Sequence, residues 1–374
     1  MTRKILMVMT AIIFFMSMTV SAKTSTWQPE RKIGLLSGVS QVNLQVSEPC
    51  IMINPADNKT LQKIDKDKPF AIDFASMKAD SVEIRGEKVQ LKDLIVTINN
   101  KKYFGGVRVN KNKGSLTVIN LVPVEEYLRG VVPEEMSISF NIEALKAQAV
   151  AARSFTLKNT GRHKADGYDL CDGTHCQTYE GISVVAEITD KAVAATRGEI
   201  LYFKGAAALT NYHTDSGGMT ESAADVWGIN APYLVAVAEL NKQTQPWTVK
   251  LTKADFSERM GAEFGILNSI TLSNMVIGQS ANDRTASGRV KFALIAGSKK
   301  TVKMTGIDMR QKFSLPSTSF NAKIEGGEII FEGFGRGHGV GMSQYGAEAY
   351  AKSGWKYDQI LKHYYKDTEL KKLY

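Results

Sequence analysis

A change in hydrophobic periodicity near Asn141 constrains the fold of this chain more than any other feature. Before it, apolar and polar residues alternate over short runs such as Val42–Val46 and Val107–Val109, with polar turns such as 110–114 between them. A period of two residues is typical of β-strands. After it, residues 142–155 are rich in alanine and contain neither glycine nor proline, so they predict a helix with Asn141 as its N-cap. We therefore expect an α+β fold.

The same patterns divide the chain into parts. Its 374 residues exceed the length of a typical single domain. Residues 23–113 are interpreted as a small β-rich lead-in, and residues 114–374 as the main unit, which mixes strands with the long alanine-rich helix. Further helices are expected over about 184–196 and, near the C-terminus, over about 343–352 and 357–365.

Residues 1–22 have the composition of a signal peptide. The basic pair Arg3-Lys4 precedes an uncharged apolar run from Ile5 to about Val20, and small residues follow. An uncleaved membrane anchor is the alternative, although a run of about 16 residues is short of the ~20 needed to span a bilayer. In either case we expect the rest of the chain to work outside the cytoplasm.

The charge balance favours an anionic partner. The chain has 47 Lys and Arg against 38 Asp and Glu, a formal net charge of +9. Cleavage of the signal peptide would remove two of the 47 basic residues and no acidic one, which leaves 45 against 38 and a net charge of +7. Such an excess suits an anionic polymer, a cell wall or a membrane surface, and for an exported protein the wall is a better match than nucleic acid.

Cysteines and histidines cluster at one place in the sequence. Cys171 and Cys176 flank His175 closely, and His163 lies eight residues upstream of Cys171, whereas Cys50 is far away. In an exported protein a local Cys171–Cys176 disulfide is the simpler interpretation. The other is zinc bound by His163, Cys171, His175 and Cys176, since tetrahedral zinc takes four nitrogen or sulfur ligands. The spacing leaves both interpretations open.

Two further features are candidates for chemistry. Adjacent carboxylates, Glu134 and Glu135, come just before the alanine-rich helix. They are either solvated loop charges or include a general acid, which needs a partly apolar environment to stay protonated. His338 lies in a run, 333–341, with glycine at every second position, which lets another group approach the backbone closely. It is either a buried structural histidine or the reactive side chain of this run.

Four separated motifs, in this order, resemble one known family. They are Val122–Met136 (VPVEEYLRGVVPEEM), Glu143–Arg153 (EALKAQAVAAR), Tyr212–Gly218 (YHTDSGG) and Gly337–Gln344 (GHGVGMSQ). Together they resemble the stage II sporulation protein D (SpoIID) and LytB amidase-enhancer family. The likeness extends from about Gly114 to the C-terminus.

The resemblance implies a catalytic unit over residues 114–374 with the activity of a peptidoglycan lytic transglycosylase. Such an enzyme cuts the bond between N-acetylmuramic acid and N-acetylglucosamine without water and leaves a 1,6-anhydro end. The glutamate before the methionine of the family's Pro-x-Glu-Met motif corresponds to Glu135, as general acid and then base. The chain has Ser137 where the family usually has proline, which predicts a looser loop around Glu135.

The resemblance also implies ligands and partners. Matching residue by residue places five side chains along the glycan groove: Gln148, His213, Ser216, His338 and Gln344. Arg153, which matches the arginine of the family's helix motif, would bind a lactyl carboxylate of the glycan or stabilise Glu135 as an anion. It favours structural zinc at His163, Cys171, His175 and Cys176. The expected substrate is a glycan strand whose stem peptides an amidase has removed. The alternative is a non-catalytic, wall-binding protein that enhances an N-acetylmuramoyl-L-alanine amidase.

Overall fold

The computed structural model describes residues 27–242 and 244–374. The predicted signal peptide lies outside these residues. Within them, no helix has the length and apolar character required to cross a membrane. The predicted α+β fold, a mixture of helices with several sheets, is confirmed. The α-helices of the described ranges are α1 (Val124–Glu135), α2 (Ile142–Lys158), α3 (Glu187–Ala195), α4 (Ala223–Trp227), α5 (Lys253–Met260), α6 (Gly306–Phe313), α7 (Gln344–Lys352) and α8 (Tyr357–Tyr364).

Short strands fill most of the space between these helices. In the first half they are β1 (Glu30–Val39), β2 (Gln41–Val46), β3 (Cys50–Asn54), β4 (Lys59–Ile64), β5 (Phe70–Asp73), β6 (Ser81–Gly86), β7 (Ile95–Ile98), β8 (Lys101–Phe104), β9 (Gly106–Asn112), β10 (Ser115–Pro123) and β11 (Leu170–Cys171). In the second half they are β12 (Glu199–Phe203), β13 (Ala206–Ala207), β14 (Tyr212–His213), β15 (Trp247–Thr252), β16 (Leu267–Thr271), β17 (Phe292–Gly297), β18 (Thr301–Thr305), β19 (Phe320–Glu325), β20 (Glu328–Gly333), β21 (Met342–Ser343) and β22 (Glu369–Lys372).

A seven-stranded sheet joins the N-terminal region to the rest of the chain. Its strand order is β11-β1-β10-β9-β6-β3-β4, and β10 pairs antiparallel with both β1 and β9. The predicted division between residues 113 and 114 therefore falls in the turn of the β9–β10 hairpin. One hydrophobic core, which includes Ile33, Val118 and Leu145, continues across that turn. The N-terminal strands thus share their core with the helices that follow.

The alanine-rich helix α2 lies at the centre of this core. It begins where the sequence predicts, because the Asn141 side chain accepts a hydrogen bond from the backbone N–H of Glu143 at 2.9 Å. The helix is buried around most of its circumference and packs against α1, α3, α7, α8 and β12. Small alanine side chains allow neighbours to approach closely on several sides.

Helix α1 carries Glu135 at its last position, where the sequence suggests a loop. This helix is difficult to predict from the sequence because it contains Gly130 and Pro133, and both residue types are unfavourable inside helices. Gly130 is required by packing: a Cβ there would lie 2.6 Å from the ring of Tyr179 and 2.7 Å from the carbonyl oxygen of Gly181. Glu135 is therefore held by a helix that is docked on α2, and not by a loose loop.

A second hydrophobic core lies within residues 247–333. The three-stranded sheets β15-β20-β19 and β16-β17-β18 surround it together with α5 and α6. Phe256 stacks on Phe313 with ring centroids 4.3 Å apart, and Phe313 stacks on Phe331. This unit brings the loop before β17 and the helix α6 beside the glycine run that contains His338.

Candidate active site

Glu135 lies half-buried at the C-terminal end of α1. Its Oε1 accepts a hydrogen bond from the backbone N–H of Thr178 at 2.7 Å. Burial raises the pKa of Glu135, and this effect outweighs hydrogen bonds from Thr178 and Gln344 that lower it. Glu134, the preceding residue, is exposed to solvent. The two adjacent carboxylates therefore have different environments, and only Glu135 has the character of a general acid.

A cavity of about 180 Å³ opens beside Glu135. Its wall combines aromatic rings with polar side chains. The lining residues are Glu135, Phe155, Arg162, Thr174, His175, Cys176, Thr178, Asn211, Tyr212, Trp227 and His338. Glu135 is the only carboxylate in that set. Chemistry that needs two acids around this cavity therefore has no second candidate among its lining residues.

The parallel pairing of β14 with β21 brings distant motifs together at this cavity. Tyr212 is opposite Met342 and His213 is opposite Ser343, about 130 residues apart in sequence. The glycine run 333–341, which leads into β21, therefore passes beside β14. The ring centroids of His213 and His338 lie 5.5 Å apart. The pairing explains why widely separated sequence motifs contribute to one site.

Both histidines are neutral in this environment. Burial lowers the pKa of His338 to about 3, and Arg289 and Arg310 lower it further. Its Nδ1 accepts a hydrogen bond from the backbone N–H of Val340 at 3.1 Å. Burial also holds the pKa of His213 well below its ordinary value. Neither imidazole is suited to act as a general acid near neutral pH. His338 lines the cavity, whereas His213 is buried with its Nδ1 3.2 Å from the Val340 carbonyl oxygen.

Four potential metal ligands form one cluster at the edge of the cavity. The ligand atoms of His163, Cys171, His175 and Cys176 all lie within 4.8 Å of one another. Cys176 Sγ is 3.4 Å from His163 Nε2 and 3.6 Å from His175 Nδ1, and Cys171 Sγ is 3.8 Å from His175 Nδ1. The two thiols are not joined in a disulfide. These separations fit the edges of a tetrahedron around zinc, whose bonds to nitrogen and sulfur are about 2.0–2.3 Å long.

Five of the six predicted glycan-binding residues are buried: Gln148, Arg153, His213, Ser216 and Gln344. Arg153 is fully buried and forms a two-pronged ion pair with Glu125, at 2.8 Å for both bonds. The Ser216 hydroxyl donates to a carboxylate oxygen of Glu239 at 2.6 Å. Gln148 is fully buried, and its amide atoms have no hydrogen-bond partner among the described residues. Of the six, only His338 lines the cavity beside Glu135, and Gln344 reaches it through a side-chain hydrogen bond to Glu135.

Two residues of the site escape sequence reasoning. Thr178 follows Cys176 by two positions, so the cysteine cluster is the only signal that points towards it. Trp227 is 39% exposed and its ring centroid lies 5.0 Å from that of His338. It belongs to none of the recognised motifs, and its role becomes visible only when α4 is placed beside the glycine run.

Comparisons with a family model and with individual proteins point to the same family. The family model described as "Stage II sporulation protein" matches residues 112–203. Stage II sporulation protein D of Bacillus subtilis is 35% identical over 268 residues, which cover 67% of this chain and 74% of that protein. Stage II sporulation protein D of Bacillus amyloliquefaciens is 33% identical over 274 residues, again covering 67% and 74%. The amidase enhancer of Bacillus subtilis is 33% identical over 290 residues, which cover 65% of this chain but only 40% of that protein. The chain therefore belongs to the stage II sporulation protein D (SpoIID) and LytB amidase-enhancer family.

Proposed function

We propose that this protein is a peptidoglycan lytic transglycosylase in which Glu135 is the general acid and then the base. The observation that carries the proposal is a half-buried carboxyl with a raised pKa in a cavity whose lining contains no second carboxylate. Glycosidases that use water or an enzyme nucleophile need two carboxyl groups. A reaction in which the sugar supplies its own nucleophile needs one.

The steps balance with Glu135 alone. The protonated carboxyl gives its proton to the oxygen that links C1 of N-acetylmuramic acid to N-acetylglucosamine, and the C1–O bond breaks. The C6 hydroxyl oxygen of the same muramic acid attacks C1 and loses its proton to the Glu135 carboxylate. The products are a strand with a new N-acetylglucosamine end and a 1,6-anhydro-muramic end. Glu135 returns to its protonated form for the next cycle.

The alternative is a non-catalytic protein that binds the wall and enhances a cell-wall amidase. The relative named amidase enhancer supports it. In either case we propose that the protein acts outside the cytoplasm, where its positive charge suits the anionic wall. An amidase would act on the same strands and is the expected protein partner.

Product analysis separates the two proposals. Peptide-free glycan strands incubated with the wild-type protein are expected to yield 1,6-anhydro-muramic ends, detected by mass spectrometry as species one water lighter than hydrolysis products. Folding of the sample is checked by circular dichroism. A folded protein that releases no product would contradict the enzyme and favour the amidase enhancer. Products with free reducing ends would instead indicate a hydrolase.

We further propose that His163, Cys171, His175 and Cys176 hold a structural zinc ion. The cluster provides a closed set of four nitrogen and sulfur ligands, which is typical of structural rather than catalytic zinc. His175 and Cys176 line the cavity, and Thr178 donates to Glu135 just beyond them. Bound zinc would therefore fix the segment that orients the general acid.

Elemental analysis of protein purified without chelator tests this proposal. We expect about one zinc per chain in the wild type and a loss of most of it in Cys171→Ser, because three ligands bind zinc far more weakly than four. Cys50→Ser is the control, since Cys50 lies in another part of the fold. Zinc-free wild type with a Cys171–Cys176 disulfide, found by thiol titration, would contradict the metal site.

A further inference from the structure

A second cavity lies directly behind the wall of the first. It has a volume of about 360 Å³ and shares Trp227 and His338 with the cavity beside Glu135. Three basic residues of the second hydrophobic unit contribute to its lining: Arg289, Lys291 and Arg310. The mechanism at Glu135 uses none of them.

Arg289 is held rigidly and remains incompletely satisfied. It is 2% exposed, and its guanidinium donates to the Ser216 carbonyl at 2.9 Å and to the Thr318 hydroxyl at 3.2 Å. Its Nε has no hydrogen-bond partner within residues 27–242 and 244–374. Gly339 lies against it, since a Cβ at that position would be 2.5 Å from the guanidinium. One function of the glycine run is therefore to let the backbone pack on Arg289.

These cations make no direct ion pair within the described ranges, although the charges of Glu221, Asp215 and Glu239 favour the protonated form of Arg289. Among the described residues, neither Arg289, Lys291 nor Arg310 forms a salt bridge within 4.0 Å. The Arg310 guanidinium donates one hydrogen bond within the described residues, from Nε to the Pro316 carbonyl at 3.3 Å. Burial lowers the pKa of Arg289 to about 10 and also lowers that of Arg310. A guanidinium is protonated near neutral pH in proteins, so both side chains remain cations.

Two acidic residues also line the cavity, and both are already engaged. Glu221 accepts hydrogen bonds from the Ser222 N–H and from the hydroxyls of Thr285 and Ser287. Asp225 accepts from the Ser222 hydroxyl at 2.7 Å. The lining therefore holds three cations against two carboxylates, a net charge of +1, and its guanidinium and ammonium groups keep N–H donors that a bound anion could use.

We propose that this cavity is an anion subsite that binds the lactyl carboxylate of an N-acetylmuramic acid residue, with Arg310 and Lys291 as direct partners and Arg289 behind them. The proposal rests on the proposed glycan substrate. In a peptide-free strand the lactyl carboxylate is the repeating anionic group, whereas an attached stem peptide converts it into an uncharged amide. Trp227, exposed between the two cavities, offers an aromatic face on which a sugar ring can pack.

The subsite would make the protein selective for strands that have lost their stem peptides. A free carboxylate accepts hydrogen bonds from the guanidinium and ammonium groups and also pairs with their positive charge, whereas an amide carbonyl accepts hydrogen bonds without a charge to pair. Selectivity would then arise from charge recognition in the second cavity, and not from the acid itself.

Binding measurements without turnover test the subsite. The ligands are peptide-free glycan oligomers, the same oligomers with methyl-esterified lactyl groups, and N-acetylglucosamine oligomers of equal length. Calorimetry on Glu135→Gln protein is expected to show that the free acid binds about 10–100-fold more tightly than either uncharged ligand at low salt. Adding Arg310→Gln should remove most of that difference.

Arg259→Gln is the matched control, because Arg259 is an exposed arginine on the neighbouring helix α5 and does not line the cavity. It should leave the difference unchanged. If Arg310→Gln does not fold, Lys291→Gln, at an exposed position, replaces it. Equal binding of acid and ester, or a difference that survives Arg310→Gln, would overturn the subsite. Because no cleavage is measured, this result is independent of whether wild-type protein cuts the strand.

Discussion

Replacing Glu135 with glutamine is expected to lower the rate of glycan cleavage by about 10²- to 10⁴-fold, the usual contribution of a general acid–base group. Glutamine has the same shape, and its amide oxygen can still accept the hydrogen bond that Thr178 donates to Glu135. It cannot, however, give a proton to the leaving oxygen or take one from the C6 hydroxyl. The measurement is the initial rate of 1,6-anhydro product formation from peptide-free strands.

Glu134→Gln is the matched control. Glu134 is exposed and adjacent, so this change removes a charge of the same sign without touching the cavity. We expect its rate to stay within about threefold of the wild type, as for most exposed substitutions. Cleavage by Glu135→Gln at the wild-type rate would reject Glu135 as the acid, and a large loss in Glu134→Gln instead would exchange the two assignments.

The wild-type pH profile gives a second measurement of the same group. Glu135 must be protonated when it meets the substrate, so the rate should fall as pH rises through its pKa. Burial raises that pKa, and the falling limb should therefore lie above the ordinary glutamate value of about 4.3. A limb at or below that value would mean that the group that titrates is not the half-buried carboxyl.

The sequence predicts individual secondary-structure elements better than it predicts the tertiary contacts around them. The N-cap Asn141 and the helix that follows can be read directly from composition, and they are found as expected. The helix that carries Glu135 is hidden because Gly130 and Pro133 normally break helices. Here Gly130 is tolerated because Tyr179, distant in sequence, packs against its bare Cα. Local propensity cannot report such a long-range contact.

For the candidate site, too, the sequence identifies residues better than it predicts where their side chains lie. Motif matching identifies Glu135, His338 and Gln344, and the structure places all three around one cavity or in contact with it. Motif matching also predicts that Arg153 binds substrate, although its side chain is buried, because a motif records residue types and not the directions in which side chains point. The second cavity combines residues of recognised motifs, such as His338, with Lys291 and Arg310, which lie in none of the four motifs and come from the unit that folds around the second hydrophobic core.

Replacing Arg153 with methionine is expected to destabilise the fold by about 3–5 kcal/mol, because it leaves a buried carboxylate without its partner. Glu125 is 4% exposed and depends on Arg153 for two charged hydrogen bonds. The Tyr374 hydroxyl adds a third at 2.6 Å. Urea denaturation followed by circular dichroism measures the loss. The double variant Glu125→Leu/Arg153→Met should recover much of it, since no charge then remains buried.

Arg129→Met provides the comparison on a partly exposed pair. Arg129 binds Asp190 at 2.8 Å, but the two side chains are 33% and 30% exposed, so its loss should cost only about 1 kcal/mol. If Arg153→Met is no less stable than Arg129→Met yet binds glycan oligomers much more weakly, Arg153 contacts substrate as the family motif implies. In the other outcome, stability falls in Arg153→Met, and the double variant regains both stability and glycan binding. The arginine would then act by holding α2 against Glu125 at the start of α1, the helix that ends in Glu135.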